Sequence, residues 1–398
     1  MSNREIIELS ERYLMATYAR SPVALVRGQG VRVWDADGRQ YFDFLAGIAV
    51  CNLGHCHPDV VAAIREQAGT LLHVSNLYHI EPQARLAQLL VEHTFADRAF
   101  FCNSGAEANE AAIKLARKYQ KDRGHGRRTE IVSATMSFHG RTLATLTATG
   151  QAKVRTGFDP LPGGFSYVPY DDIEALADAV GPQTAAVLLE PIQGEGGIRV
   201  PEPGYLPQVR ELCDARGALL IFDEVQTGMG RTGTFLACEQ EGVAPDLCSL
   251  AKGLGGGVAI GALLATEETA ESFGPGTHAS TFGGNPLAAA AALAAVRTLL
   301  GDGILPHCRR MGAYLTSGLR AAVASHPAVA SVRGRGLLVG VELAPGYPAA
   351  HVVRELLERG FLTGTAGEGV LRLAPPLIVE REEIDALLAA LGETLSSL

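Results

Sequence analysis

Residues 218–226 read Ala218-Leu219-Leu220-Ile221-Phe222-Asp223-Glu224-Val225-Gln226. An unbroken apolar run, without polar alternation, describes a short strand buried on both faces. The carboxylate that ends it is costly to desolvate unless it meets a partner. Similar runs occupy 99–102, 131–133, 185–189 and 247–251, with helical stretches between them, such as 106–119 and 206–215. Short apolar strands alternating with helices predict an α/β fold with a mostly parallel central sheet covered on both faces. Ligands in such sheets bind beyond the carboxyl ends of the strands, so the residues after each run carry the argument.

After 99–102 comes Asn103-Ser104-Gly105-Ala106-Glu107-Ala108-Asn109, then a helix. Free N–H groups and the helix dipole make this turn an anion site, or else an ordinary cap by Asn103 or Ser104. Asp223 needs a protonated ring nitrogen, an arginine or a metal as partner, or it caps the next turn. After 247–251 comes Lys252, followed by Gly253-Leu254-Gly255-Gly256-Gly257. Burial there would lower the pKa of the amine and leave a nucleophile; the plainer alternative is an exposed loop lysine. Lys-Gly-Leu-Gly reverses the order of a nucleotide phosphate loop, and no GxGxxG opens a helix. An anion site, a buried acid and a lysine at neighbouring strand ends are together what pyridoxal phosphate requires.

The flanking regions read differently. A short helical pattern opens the chain, and apolar segments 31–34 and 41–44 flank Asp37-Gly38, a hairpin signal. Residues 1–54 are thus expected to form an arm and a small sheet, and 55–285 the large α/β domain. Residues 286–398 are expected to form a smaller α+β domain. Its pattern gives helices at 286–300, 349–358 and 382–396, with strands at 329–333, 336–343 and 370–373.

The formal charge of -9, with no long basic run, argues against nucleic acid. The apolar stretches 253–266 and 286–296 fall short of the ~20 residues of a membrane span. The first residues, with Glu5, Glu8 and Glu11, do not form a signal peptide, and a cytoplasmic protein is expected. Seven scattered cysteines without a CxxC pair fit reduced thiols. His55-Cys56-His57 suggests a metal, but alternating neighbours point to opposite faces and no second cluster completes the ligands, so none is expected.

From Pro22 to Pro376 the chain resembles the class III aminotransferases, the ornithine-type branch of the fold type I pyridoxal-phosphate enzymes. The motifs are Leu53-Gly54-His55-Cys56-His57-Pro58, 104–109, Phe138-His139-Gly140-Arg141-Thr142, 190–196, Asp223-Glu224-Val225-Gln226-Thr227-Gly228, Lys252-Gly253 and Thr281-Phe282-Gly283-Gly284-Asn285-Pro286. The resemblance implies that Ser104, Gly105 and Ala106 hold the cofactor phosphate and that Phe138 stacks on its ring. Asp223 pairs with the ring N–H⁺, Val225 and Gln226 line the site, and Lys252 binds the cofactor covalently and carries the proton. Thr281 reaches the phosphate of a neighbouring subunit, which implies a homodimer with shared sites. Arg141, assisted by Ser280, clamps the carboxylate of the amine substrate, and Arg372 clamps the α-carboxylate of 2-oxoglutarate. Glu195 pairs with Arg372 in the first half-reaction and swings away in the second. Segments 17–22 and 138–141 resemble members acting on N2-acetylornithine. Ornithine-specific members usually carry tryptophan in place of His139 and an aromatic near Gly47-Ile48. Members acting on 4-aminobutyrate or N-succinyl-diaminopimelate stay as alternatives.

Overall fold

Strand Thr184–Leu189 is buried at every position, as are Leu219–Asp223, Leu247–Leu250 and Gly261–Ala265. A strand covered on both faces has no solvent side, which is why these segments lack alternation. The computed structural model describes residues 1–301, 303–324 and 326–397. Among these, the strands form three sheets. The largest runs in the order Arg98–Cys102, Gly261–Ala265, Leu247–Leu250, Leu219–Asp223, Thr184–Leu189, Glu130–Ala134, Phe165–Val168. Pairing is parallel from Phe165–Val168 through to Leu247–Leu250. Gly261–Ala265 runs against both neighbours, so Arg98–Cys102 points the same way as the parallel set. Six strand ends, at residues 102, 134, 168, 189, 223 and 250, therefore face one edge.

Two strands of this sheet lie outside the apolar runs marked in the sequence. Gly261–Ala265 sits inside the glycine-rich stretch 253–266. Gly261 is there because a Cβ would stand 2.4 Å from the Ser104 carbonyl oxygen, and glycine weakens a strand pattern. Phe165–Val168 is an edge strand, only half-buried over most of its length.

Helix Gly105–Asp122 follows its strand after two residues. Ser104 Oγ caps it, accepting the Glu107 N–H at 3.2 Å. Ala108, Ala111, Ala112, Leu115 and Ala116 recur at three- and four-residue spacing and form the buried face. Their small side chains let the helix lie close against the sheet. Helices Tyr205–Arg216, Pro286–Gly301, Ala349–Glu358 and Arg381–Ser396 fall within a residue of their expected positions. Pro58–Thr70, Glu81–Glu92 and Ile304–Ala322 add to them.

In the second sheet the hairpin pairs Val33 with Tyr41, and Gly38 takes φ +89° in its turn. The N-terminal sheet is not self-contained, however. Its fourth strand is Phe361–Leu362, parallel to Gln40–Asp43, with the Phe361 ring stacked on Phe42 at 5.6 Å. A two-residue strand has no periodicity to detect. The third sheet joins Val329–Arg335, Leu338–Leu343, Val370–Leu373 and Gly364–Ala366, all antiparallel. The strand expected from 336 starts at Leu338 because Gly336, at φ +55°, makes the turn.

His55 Nε2 lies 2.7 Å from Asp43, while His57 precedes helix Pro58–Thr70. Hydrogen bonds to Asp43 and Cys51 push His55 up to about 10, so the pair is ionic at neutral pH. Among the described residues no single helix is long and apolar enough to cross a membrane.

Candidate active site

The converging strand ends surround a cavity of about 430 Å³, the size of a small-molecule site. Lys252, Asp223, Phe138, Arg141, Glu195, Val225, Gln226 and the turn Ser104-Gly105-Ala106 all line it. Most of the residues expected to act together are thus brought together.

Asp223 is the last residue of its strand and is 4 % exposed. Its Oδ2 accepts Asn109 Nδ2–H at 2.7 Å and faces His139 Nδ1 at 2.9 Å, while Oδ1 accepts the Val225 N–H at 3.0 Å. Asn109 is oriented in turn by Ser249, whose hydroxyl donates to Asn109 Oδ1 at 2.7 Å. The remaining amide hydrogen of Asn109 goes to the His139 carbonyl at 2.9 Å. Each polar group of Asn109 therefore has a partner. The network holds Asp223 as an acceptor at the cavity wall. His139 Nε2 is buried and has no partner among the described residues.

Lys252 opens a single 3₁₀ turn, Lys252–Gly255, and takes a left-handed φ of +44°. Such a backbone costs a non-glycine residue about 1–3 kcal/mol and is retained where the surroundings over-determine it. One surrounding constraint is Gly253, where a Cβ would stand 2.3 Å from Asn52 Nδ2. Burial, only partly offset by the negative charge of Glu195, pushes the Lys252 amine down to about 8. A substantial neutral fraction near physiological pH makes it nucleophilic and basic. On the opposite wall, Gly105 passes so close to Val225 that a Cβ would lie 2.7 Å from it. Gly105 and Ala106, the first residues of helix Gly105–Asp122, line the cavity, and a helix N-terminus is the arrangement that binds phosphate.

A second group meets at the far side. Arg372, in strand Val370–Leu373, is 4 % exposed and forms an ion pair with Glu195. It also donates to Gln226 Oε1 at 3.3 Å. Burial alone would raise the Glu195 carboxyl, but the charge and hydrogen bond of Arg372 outweigh it and hold the group below the ordinary carboxylate value. Arg141 is exposed, with its guanidinium over the Phe138 ring, 5.4 Å from the centroid.

Three expected residues stand outside the cavity lining: Arg372, which reaches it through Glu195 and Gln226, and Ser280 and Thr281. Ser280 Oγ accepts from Asn103 Nδ2 at 3.2 Å, and Thr281 is exposed. Conversely, Asn109, His139, Ser249 and Glu190 belong to the site, although sequence reasoning gave them no role there. A buried-face asparagine among alanines and a serine within an apolar run were the available signals.

A helix N-terminus, an aromatic ring, a buried acceptor and a partly neutral lysine around one cavity fit a phosphorylated pyridine aldehyde, group for group. Residues 14–395 match the family model for aminotransferase class-III, and the chain belongs to that family, whose members depend on pyridoxal phosphate. The acetylornithine aminotransferase of Myxococcus xanthus is 53% identical over 386 residues, 96% of each chain. That of Methanocaldococcus jannaschii is 51% identical over 402 residues, covering 100% of both. Among solved structures, the ornithine aminotransferase of Toxoplasma gondii ME49 superposes with a TM-score of 0.96 at 35% identity, over 100% of this chain and 96% of that one. The fold is accordingly that of the fold type I pyridoxal-phosphate enzymes.

Proposed function

We propose that the chain moves the δ-amino group of N2-acetyl-L-ornithine to 2-oxoglutarate, giving N-acetyl-L-glutamate 5-semialdehyde and L-glutamate. The observation that carries this reading is the ion pair of Glu195 with the buried Arg372 beside a cavity that also holds Arg141. A transaminase with one α-substrate and one ω-substrate needs a carboxylate receptor that can be hidden. The roughly 50% full-length identity to acetylornithine aminotransferases supports the choice of amine.

Pyridoxal phosphate, when bound, supplies the aldehyde that takes the amino group and the ring that takes up electrons. Ser104, Gly105 and Ala106 would hold its phosphate, and Phe138 its ring face. Asp223 would hold the ring nitrogen protonated, with Val225 and Gln226 beside it. Lys252 would hold the cofactor covalently in the resting enzyme. Its Nζ would then serve as the base that takes the proton from the substrate Cδ and as the acid that delivers it to the former aldehyde carbon of the cofactor. Arg141, assisted by Ser280, would grip the carboxylate of acetylornithine. Its planar fork suits that geometry. Glu195 keeps Arg372 neutralised during this half-reaction and leaves it to the α-carboxylate of 2-oxoglutarate in the other.

The working unit on this reading is a homodimer in the cytoplasm. Exposed Leu71, Leu72, Leu77, Tyr78 and Phe282 support a partner surface around Thr281, which would complete the neighbouring site. Seven free cysteines support a reducing compartment. Single-turnover rates with N2-acetylornithine, ornithine, 4-aminobutyrate and N-succinyl-diaminopimelate test the substrate. N2-acetylornithine should be fastest, and a faster rate with another amine would replace it.

A further inference from the structure

Glu190 lies at the end of strand Thr184–Leu189, lines the cavity, and has no part in the chemistry above. It is 5 % exposed and forms no ion pair among the described residues. Its two oxygens instead serve two different loops. Oε1 accepts the Phe138 N–H at 3.0 Å and Oε2 accepts the Gly194 N–H at 2.9 Å. The first loop carries Arg141, three residues on; the second carries Glu195, the next residue. The loops touch elsewhere too. Gln193 Nε2 donates to the Thr135 carbonyl at 2.9 Å, and a Cβ on Gly196 would stand 2.6 Å from the Met136 carbonyl oxygen.

We infer that Glu190 is a positioning residue whose carboxylate spans Phe138 N–H and Gly194 N–H, fixing the Arg141 loop against the Glu195 loop. This rests on the reading in which Arg141 and Glu195 handle substrate. The chemistry of the bridge is selective. An ionised carboxylate is acceptor-only, so each oxygen can take one N–H. A carboxylic acid or a carboxamide places a donor on one side, where it faces another donor, and one contact is lost. Burial, reinforced by the negative charge of Asp223, pushes the Glu190 carboxyl up to about 7. His139 and the two N–H bonds act the other way but do not overcome it. The bridge is therefore complete above that pH and is lost as pH falls through it. The titratable groups facing Glu190 are His139, Asp223, Lys252 and Tyr170, whose hydroxyl donates to the Glu190 carbonyl at 3.0 Å.

The test is calorimetric binding of N-acetyl-L-norvaline to the holoenzyme. This probe carries the carboxylate and acetamide of the substrate but lacks the amine that reacts. Wild type should bind it about tenfold more weakly at pH about 6 than at about 8.5, the equivalent of one hydrogen bond to a charged group. Glu190→Gln should bind about tenfold more weakly at both pH values, with the slope gone. Glu190→Asp keeps an acceptor-only group but is one methylene shorter, so it should bind with intermediate affinity and retain a slope. Wild-type binding by Glu190→Gln at the higher pH would overturn the inference. So would an unchanged slope, which would belong to His139 or Lys252. If Glu190→Gln does not fold, a flat profile in Glu190→Asp is the overturning result. Arg141→Ala separates the two claims. Normal probe binding by that variant defeats the substrate assignment, whereas wild-type behaviour of Glu190→Gln beside a defective Arg141→Ala defeats only the bridge.

Discussion

Arg141 lines the cavity and Arg372 lies behind Glu195 and Gln226 of its wall, and the two arginines are prepared in opposite ways. Arg372 is buried at 4 % exposure and held by Glu195 and Gln226, and its Nε has no partner among the described residues. Arg141 is exposed, lies across Phe138, and meets no carboxylate among the described residues. The substrates explain the difference on the proposed reading. Both carry a carboxylate several bonds from the reacting carbon, whereas only 2-oxoglutarate carries a second one on that carbon. Arg141 can stay open because it serves both; Arg372 is wanted in one half-reaction only. An unpaired buried cation is strongly unfavourable, so Glu195 stands in for the missing carboxylate.

The largest perturbation removes the contrast altogether. Lys252→Ala should cost both half-reactions about 10⁴-fold or more and remove the visible band that borohydride abolishes in the wild type. A wild-type rate in that variant would end the assignment. Arg372→Ala should divide the halves. We expect single-turnover 2-oxoglutarate rates to drop about 10²- to 10³-fold, the usual scale for a lost buried charge contact, with the amine half much less affected. Equal losses would show that Arg372 is structural. Arg141→Ala should lower both halves, by about 10- to 100-fold, as for one charged hydrogen-bonded clamp. A loss confined to one half would mean that the second substrate finds its distal contact elsewhere.

The two arginines also mark how far the sequence can be read. The placement of Asp223 and Lys252 at the sheet edge was legible because a strand buried on both faces leaves a continuous apolar run and the residue after it lies at the strand end; their proposed roles came from the conjunction of strand ends and from family resemblance. The parallel sheet was legible for the same reason. The pairing of Arg372 with Glu195 entered only through family resemblance, since no spacing rule connects residues so far apart in the chain. Asn109, Ser249 and Glu190 were not legible as site residues. Their roles depend on which side chains two or three distant strand ends bring within 3 Å, and local pattern carries none of that. Phe361–Leu362 escaped because strand pairing outranks a two-residue propensity, and Gly261–Ala265 because close packing required a glycine where a β-branched residue would have signalled a strand.

The subtlest test concerns the mask itself. Protonation cannot open it near neutral pH: burial favours the neutral acid, but Arg372 holds the Glu195 carboxyl below its ordinary value. A group with a lowered folded pKa contributes stability above its unfolded pKa and loses that contribution only as pH falls through the folded one. The pair should therefore survive across pH about 6 to 9, and the incoming α-carboxylate must displace Glu195 by competition. Glu195→Gln keeps the shape and removes the charge. It should lower the KM for 2-oxoglutarate about fivefold and slow the amine half by a similar factor, the scale of one partly exposed charged contact. If both constants instead match the wild type, Glu195 is a bystander and the gating of Arg372 must come from movement of strand Val370–Leu373.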